Sequence, residues 1–321
     1  MTINKNMTRK KFTSDLYFFA RCPEHDTIKP YALRYQPDDD LPRTNFVAEK
    51  REIEVRDVRD WQDDLDFDRC GFKIMPFQTS MHHDEYTDAK KIKEVYLPEL
   101  RDRVQSALGA AHVYVLDYAV RSRSAAFPYS EGPQREDVAY QPIHMAHIGK
   151  CRSAFILPVA NLVCVDMTVD EATRLINYLY GKDATQVLKA PWHIVTVWQP
   201  LRGPVRDWPI GVCDASSVAH DDDTLASDIV FPDHYTENVQ VHYSPKHKWY
   251  YVSEQQPHEA LLFKTVYDKV LGCPHGSFPI KSDRKECAPR ESIDTRILVS
   301  FAKLDPFPFA RDDGFCSLNH L

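Results

Sequence analysis

Apolar residues at Ile92, Val95, Leu97, Leu100, Val104 and Leu108 recur mostly at three- and four-residue intervals, and Gly109 follows them. The spacing predicts a helix over 88–108 with a glycine stop. Pro98 interrupts it, so the helix either kinks there or restarts with Pro98 in its first turn. Thr168-x-x-Glu171 reads as a capping box, and Leu175, Ile176 and Leu179 carry an apolar face on to Gly181. Runs rich in β-branched and aromatic residues predict strands over 113–120, 194–198, 238–243, 248–253, 261–266 and 292–301. Ser244-Pro245-Lys246 predicts a hairpin turn between the third and fourth of these. Helices early and antiparallel strands late point to an α+β fold with a barrel or jelly-roll core. No domain boundary stands out, so residues 1–321 are expected to form a single domain. Residues 1–60, rich in charge and proline, are expected to wrap that core as an extended N-terminal arm with short strands.

Composition narrows the function. The net charge of −7 argues against a nucleic-acid binder, which would carry a basic surface. No apolar run approaches the roughly 20 residues of a membrane span. Residues 1–12 are polar and basic with no apolar stretch behind them, so no secretory signal is read. The eight cysteines are scattered without a C-x-x-C pair, which fits free thiols in a reducing compartment. A cytoplasmic protein acting on a small-molecule substrate is the expectation; a homodimer is left open.

The chemistry gathers in the last third. His275 stands fifteen residues before Arg290, and Ser292 follows two further on. A late histidine followed by Arg-x-Ser suits a ferrous iron held by the imidazole, with the far carboxylate of 2-oxoglutarate held by the guanidinium and hydroxyl. Arg296 shares strand parity with 290 and 292 and is the second candidate for that clamp. Upstream, His-x-Asp would complete a facial iron site, because residues i and i+2 of a strand point the same way. The chain offers Pro142-Ile143-His144-Met145-Ala146-His147, which has the spacing at 144 and 146 but an alanine for the carboxylate. With 14 histidines, any single one is more often a satisfied packing residue; His220, His234 and His258 are assigned so.

Several segments in order resemble Fe(II)/2-oxoglutarate-dependent oxygenases of secondary metabolism, the group related to gibberellin desaturase and the aflavarin-cluster hydroxylase. They are Thr196 to Val205, Pro209 to Ser217, His247-Lys248-Trp249-Tyr250-Tyr251, Leu261 to Lys264, Pro274-His275 and Arg290 to Arg296, with Arg43 to Phe46 and Gly71-Phe72 nearer the start. The resemblance implies a double-stranded β-helix core flanked by helices, with Fe(II) and 2-oxoglutarate as cofactors. It implies hydroxylation, desaturation or ring formation on a natural product, with His144 and His275 as iron ligands and Arg290 with Ser292 as the clamp. His247 to Tyr251 and Trp198 match core strands, where aromatic packing is the plainer role.

Ala146 then stands where the family pattern has aspartate. Four readings are open. Ala146 vacates a halide site, as in a 2-oxoglutarate-dependent halogenase; another group substitutes, with His147 reachable only through a bulge or turn; the chain is a non-catalytic ligand-binding relative; or the alanine is an engineered lesion that impairs the metal site. Tyr118 stands where relatives have histidine and is expected near the substrate pocket. Loops 72–88, 122–140 and 215–236, with Tyr86, Phe127 and Tyr129, are expected to shape that pocket. The run His220-Asp221-Asp222-Asp223 reads as a solvated acidic loop.

Overall fold

The computed structural model describes residues 9–37, 40–124, 127, 142–148, 168–233, 235–268, 270–280 and 287–304. The helix expected over 88–108 restarts rather than kinks. Asp88 caps a first short turn, a wide turn covers Ile92–Tyr96, and α1 (Leu97–Leu108) begins with Pro98 in its first turn, where a missing N–H costs nothing. Gly109 ends α1 at φ 64°, a left-handed backbone that glycine adopts without a Cβ clash. Helix α2 (Val169–Tyr180) is capped by the Thr168 hydroxyl, which accepts from the Glu171 N–H, and α3 (Ala184–Lys189) follows it.

The strands are β1 (Lys11–Phe19), β2 (Tyr31–Leu33), β3 (Ala48–Asp57), β4 (Phe72–Pro76), β5 (His112–Ser122), β6 (His147–Ile148), β7 (Trp192–Pro200) and β8 (Ile210–Cys213). They continue with β9 (Thr224–Val230), β10 (Tyr235–Val241), β11 (Trp249–Tyr251), β12 (Glu259–Tyr267), β13 (Val270–Leu271), β14 (His275–Ser277) and β15 (Glu291–Ser300). Nine strands form one sheet in the order β1-β3-β11-β8-β14-β6-β10-β9-β2. The other sheet runs β13-β12-β7-β15-β5, with β4 beside β12. Val212 and Tyr250 of the larger sheet pack on Trp198, Leu261 and Phe263 of the smaller, so the two enclose a common interior. This is a jelly roll.

Within residues 1–60, β1, β2 and β3 are strands of the larger sheet. Two expectations change. Ser244-Pro245-Lys246 is not a hairpin, because β8, β14 and β6 lie between β11 and β10 in the sheet. The acidic run is a short helix, His220–Asp223, whose Asp223 is buried and accepts from the Ala219 N–H and bonds the His247 ring at 3.1 Å.

The smaller sheet sets the two faces. Its outer face carries Val113, Val115, Val195, Val197, Ile293 and Ile297, on which α1 lays Leu97, Leu100 and Val104. Alternate residues, Thr196 and Trp198 on β7 and Arg290, Asp294 and Arg296 along β15, face the cavity. Farther along, Ile194 and Leu298 keep this parity and meet Leu175, Ile176 and Leu179, so α2 covers that end of the interior. A register shift across Arg296/Ile297 leaves Leu116 as the extra residue on β5. Beyond that bulge Asp117 and Arg121 face inward, while Tyr118 and Val120 pack on the α1 side.

Candidate active site

Ion pairs occupy most of the interior arginines. Arg121 Nε and Nη2 donate to the two oxygens of Asp294 at 2.7 and 3.0 Å. Arg296 Nε donates to Asp117 at 2.8 Å, and its Nη2 meets the second oxygen. Arg123 donates to Asp207. Burial pushes the Arg296 guanidinium down to about 9, so the Asp117 carboxylate is what keeps that charge tolerable inside. An Arg296→Met substitution strips Asp117 of this partner and is expected to cost about 3 kcal/mol of stability. A denaturant titration without ligands checks it; an unchanged midpoint would contradict the pairing.

Arg290 differs. Its side chain is buried, and Nη1 donates to the Trp208 carbonyl at 2.9 Å and to Ser277 Oγ at 2.6 Å. Among the described residues its Nε meets no acceptor, and neither does the fully buried Ser292 Oγ, two residues along β15. Its backbone N–H, not its side chain, bonds Asp207. Burial, with the Arg121 charge beside it, lowers its pKa to about 9. A buried cation with an idle donor, next to an idle hydroxyl, is matched by a carboxylate-bearing ligand.

Across the cavity, His147 of β6 stands directly opposite His275 of β14, with ring centroids 4.4 Å apart. In each case Nδ1 lies against the carbonyl two residues earlier: 2.6 Å from Met145 O for His147, 3.2 Å from Cys273 O for His275. A carbonyl can only accept, so each Nδ1 carries a proton, and in the neutral ring Nε2 is the nitrogen that keeps its lone pair. Burial lowers His275 to about 4, so this ring is neutral at ordinary pH. A neutral imidazole with its far N–H fixed on a carbonyl is the form that ligates a metal. Among the described residues no third His, Cys, Asp or Glu joins the pair.

Of the residues singled out in the sequence, His275, Arg290 and Ser292 come together here. Arg296 lines the cavity but its fork is taken by Asp117. The vacated-ligand role of Ala146 is overturned. Its side chain is fully buried with Ile148, Leu16 and Phe18 in a core on the other face of the larger sheet. His144 shares that parity; its ring packs on Tyr17 and Phe127 at 5.0 and 5.6 Å instead of on His275. The imidazole beside His275 is His147, and it gets there by ordinary strand alternation, with no bulge. The residue two beyond it is Gly149, which lies outside the described residues. The halide, substitution, loss and lesion readings built on Ala146 therefore lose their observation. Tyr118 faces α1, not the cavity, because of the Leu116 bulge. Tyr86 is buried beneath α1, Phe127 stacks edge-on against Trp208 at 4.7 Å, and Tyr129 and His234 lie outside the described residues.

The sequence reading admits His147 only through a bulge and misses Ser277 and the Arg121–Asp294 pair. Only the first had a local signal. Ala146-His147-Ile148 alternates apolar, polar, apolar, which places His147 alone on its face.

The neutral His275 ring, the His147 ring beside it and an arginine with no carboxylate partner among the described residues, set inside a jelly roll, suit a metal- and keto-acid-using oxygenase. Residues 16–300 match the family model described as an oxidoreductase/YMDC permease-like domain. Among the described residues no helix is long and apolar enough to cross a membrane. The chain is 29% identical over 271 residues to the hydroxylase/desaturase efuI of Hormonema carpetanum, covering 80% of this chain and 85% of that one. It is 26% identical over 284 residues to the Fe(II)/2-oxoglutarate-dependent dioxygenase nvfI of Aspergillus novofumigatus, covering 86% and 93%. It is 30% identical over 266 residues to the hydroxylase/desaturase CTB9 of Cercospora beticola, covering 78% and 76%. The solved structure of the iron and alpha-ketoglutarate-dependent endoperoxidase NvfI superposes with a TM-score of 0.74 at 24% identity, covering 91% of this chain and 99% of that one, a likeness of fold. The chain belongs to the oxidoreductase family of that model, within the Fe(II)/2-oxoglutarate-dependent dioxygenases of fungal secondary metabolism.

Proposed function

We propose that His147 and His275 hold Fe(II), that Arg290 and Ser292 hold the far carboxylate of 2-oxoglutarate, and that the enzyme oxidises a C–H bond of a small-molecule natural product. With iron and keto acid bound, dioxygen would be the oxidant: one of its atoms ends in the succinate left when CO2 departs, and the other takes the two electrons drawn from the substrate. The outcome on the substrate is hydroxylation, desaturation or ring formation. The observation that carries the assignment is the pairing across one cavity of two imidazoles with carbonyl-fixed tautomers and an arginine whose Nε is idle.

The residues divide the work. Met145 and Cys273 carbonyls hold a proton of each ligating ring on Nδ1, which leaves Nε2 as the nitrogen that would meet the metal. Arg290 supplies the charge that the carboxylate neutralises, and Trp198 lies 5.5 Å below its guanidinium as a cation–π floor. The Arg121–Asp294 pair faces the same cavity with its charges already matched, so it adds polarity without competing for the keto acid. Trp198 and Phe263, the latter 4.6 Å from the His275 ring, keep water from that side.

Anaerobic titration with Fe(II) and then 2-oxoglutarate, followed by oxygen and an assay for succinate, tests the reading. Arg290→Met is expected to weaken 2-oxoglutarate binding roughly 100-fold, the loss of about 3 kcal/mol for a buried charge pair. Full keto-acid affinity in that variant would remove the clamp, and absence of iron-dependent succinate in the parent would remove the activity.

A further inference from the structure

We infer that Ser277 is a positioning residue for the keto-acid anchor, fixing which edge of the Arg290 guanidinium meets the carboxylate. The inference rests on the reading of Arg290 as that anchor. A guanidinium has five N–H donors, two of them on Nη1. Both Nη1 donors are used inside the protein, one on the Trp208 carbonyl and one on Ser277 Oγ. What remains is the Nε–Nη2 edge, whose two parallel N–H bonds suit a bidentate carboxylate. The buried Nε without an acceptor marks that same edge.

Ser277 is placed to do this by the strand that carries an imidazole of the site. It lies two residues after His275 on β14 and therefore on the same face. Its backbone N–H donates to Ile143 O at 2.7 Å, tying it to the run that leads into His147. Between them, a Cβ on Gly276 would lie 3.1 Å from Leu16 Cδ1 and 3.3 Å from Met145 O, so β14 is seated closely against its neighbours. β14 thus sets one register for both rings and for Ser277, whose hydroxyl passes it to the arginine alone. Having accepted from Nη1, it meets no acceptor of its own among the described residues.

The test uses the full chain with Fe(II), 2-oxoglutarate and oxygen, reading succinate released in the absence of substrate and Fe(II) binding under nitrogen. Ser277→Ala is expected to raise the KM for 2-oxoglutarate about tenfold, as for a lost bond to a charged group. Its kcat and Fe(II) affinity should stay within about twofold of the parent. Ser277→Thr, which keeps the hydroxyl, should restore the KM to within about threefold. An unchanged KM in Ser277→Ala, an equal loss of Fe(II) affinity, or a Thr variant as poor as Ala would each overturn the inference. Arg290→Met separates the two levels. If it raises the KM while Ser277→Ala does not, only the positioning role falls; if it leaves the KM unchanged, the anchor itself falls.

Discussion

Replacing His147 with alanine should lower Fe(II) affinity by at least about 100-fold and abolish succinate formation, whereas His144→Ala should leave iron binding within about twofold. The contrast follows from sheet geometry alone. His147 and His275 are cross-strand partners on the inner face, while Ala146 lies in the core on the other face and the His144 ring packs on Tyr17 and Phe127. Titration of Fe(II) into each variant under nitrogen decides it. If His144→Ala lost the metal and His147→Ala kept it, the assignment of the inner face would be wrong.

Excising residues 149–165 is expected to strengthen iron binding by on the order of 100-fold. β6 stops at Ile148, and the next described residue is Thr168, the cap of α2. The two flanks lie close together. Ile148 pairs with Val239 of β10, and the side chain of Glu237, two residues along the same strand, bonds Thr168. Joined directly, the chain would read His147-Ile148-Asp166-Met167-Thr168, which restores a His-x-Asp spacing after the imidazole that faces His275. Fe(II) titration of the parent, the excised chain and the excised chain with Asp166→Asn tests this. Equal affinity in the two excised forms would show that the carboxylate adds nothing. A spliced message lacking those codons would encode the shorter form directly.

The sequence was most legible where the signal is local. The interruption at Pro98, the Thr168 cap, the Gly109 stop and the strands around 194–198, 261–266 and 292–301 each rest on spacing or backbone chemistry within a few residues. The Arg290-x-Ser292 pair belongs with them, since it lies on one strand and alternation settles its face. What misled was anything that depended on which strand lies next to which. The His144-x-Ala146 spacing looks right by itself, but the side it faces is set by pairing with β14, more than a hundred residues away in the chain. The turn at 244–246 failed for the same reason, because three strands are interposed. Arg296 has the parity of a ligand-binding arginine, and only the bulge on β5 brings Asp117 round to occupy it.

That single extra residue at Leu116 carries a consequence for tinkering with the chain. Losing it would swap the odd and even positions of the strand's second half. Two charged groups would be thrust into the oil beneath a helix, and an aromatic and a valine would enter a chamber lined with ions. A one-codon deletion there should therefore be far more damaging than any point substitution at the same place.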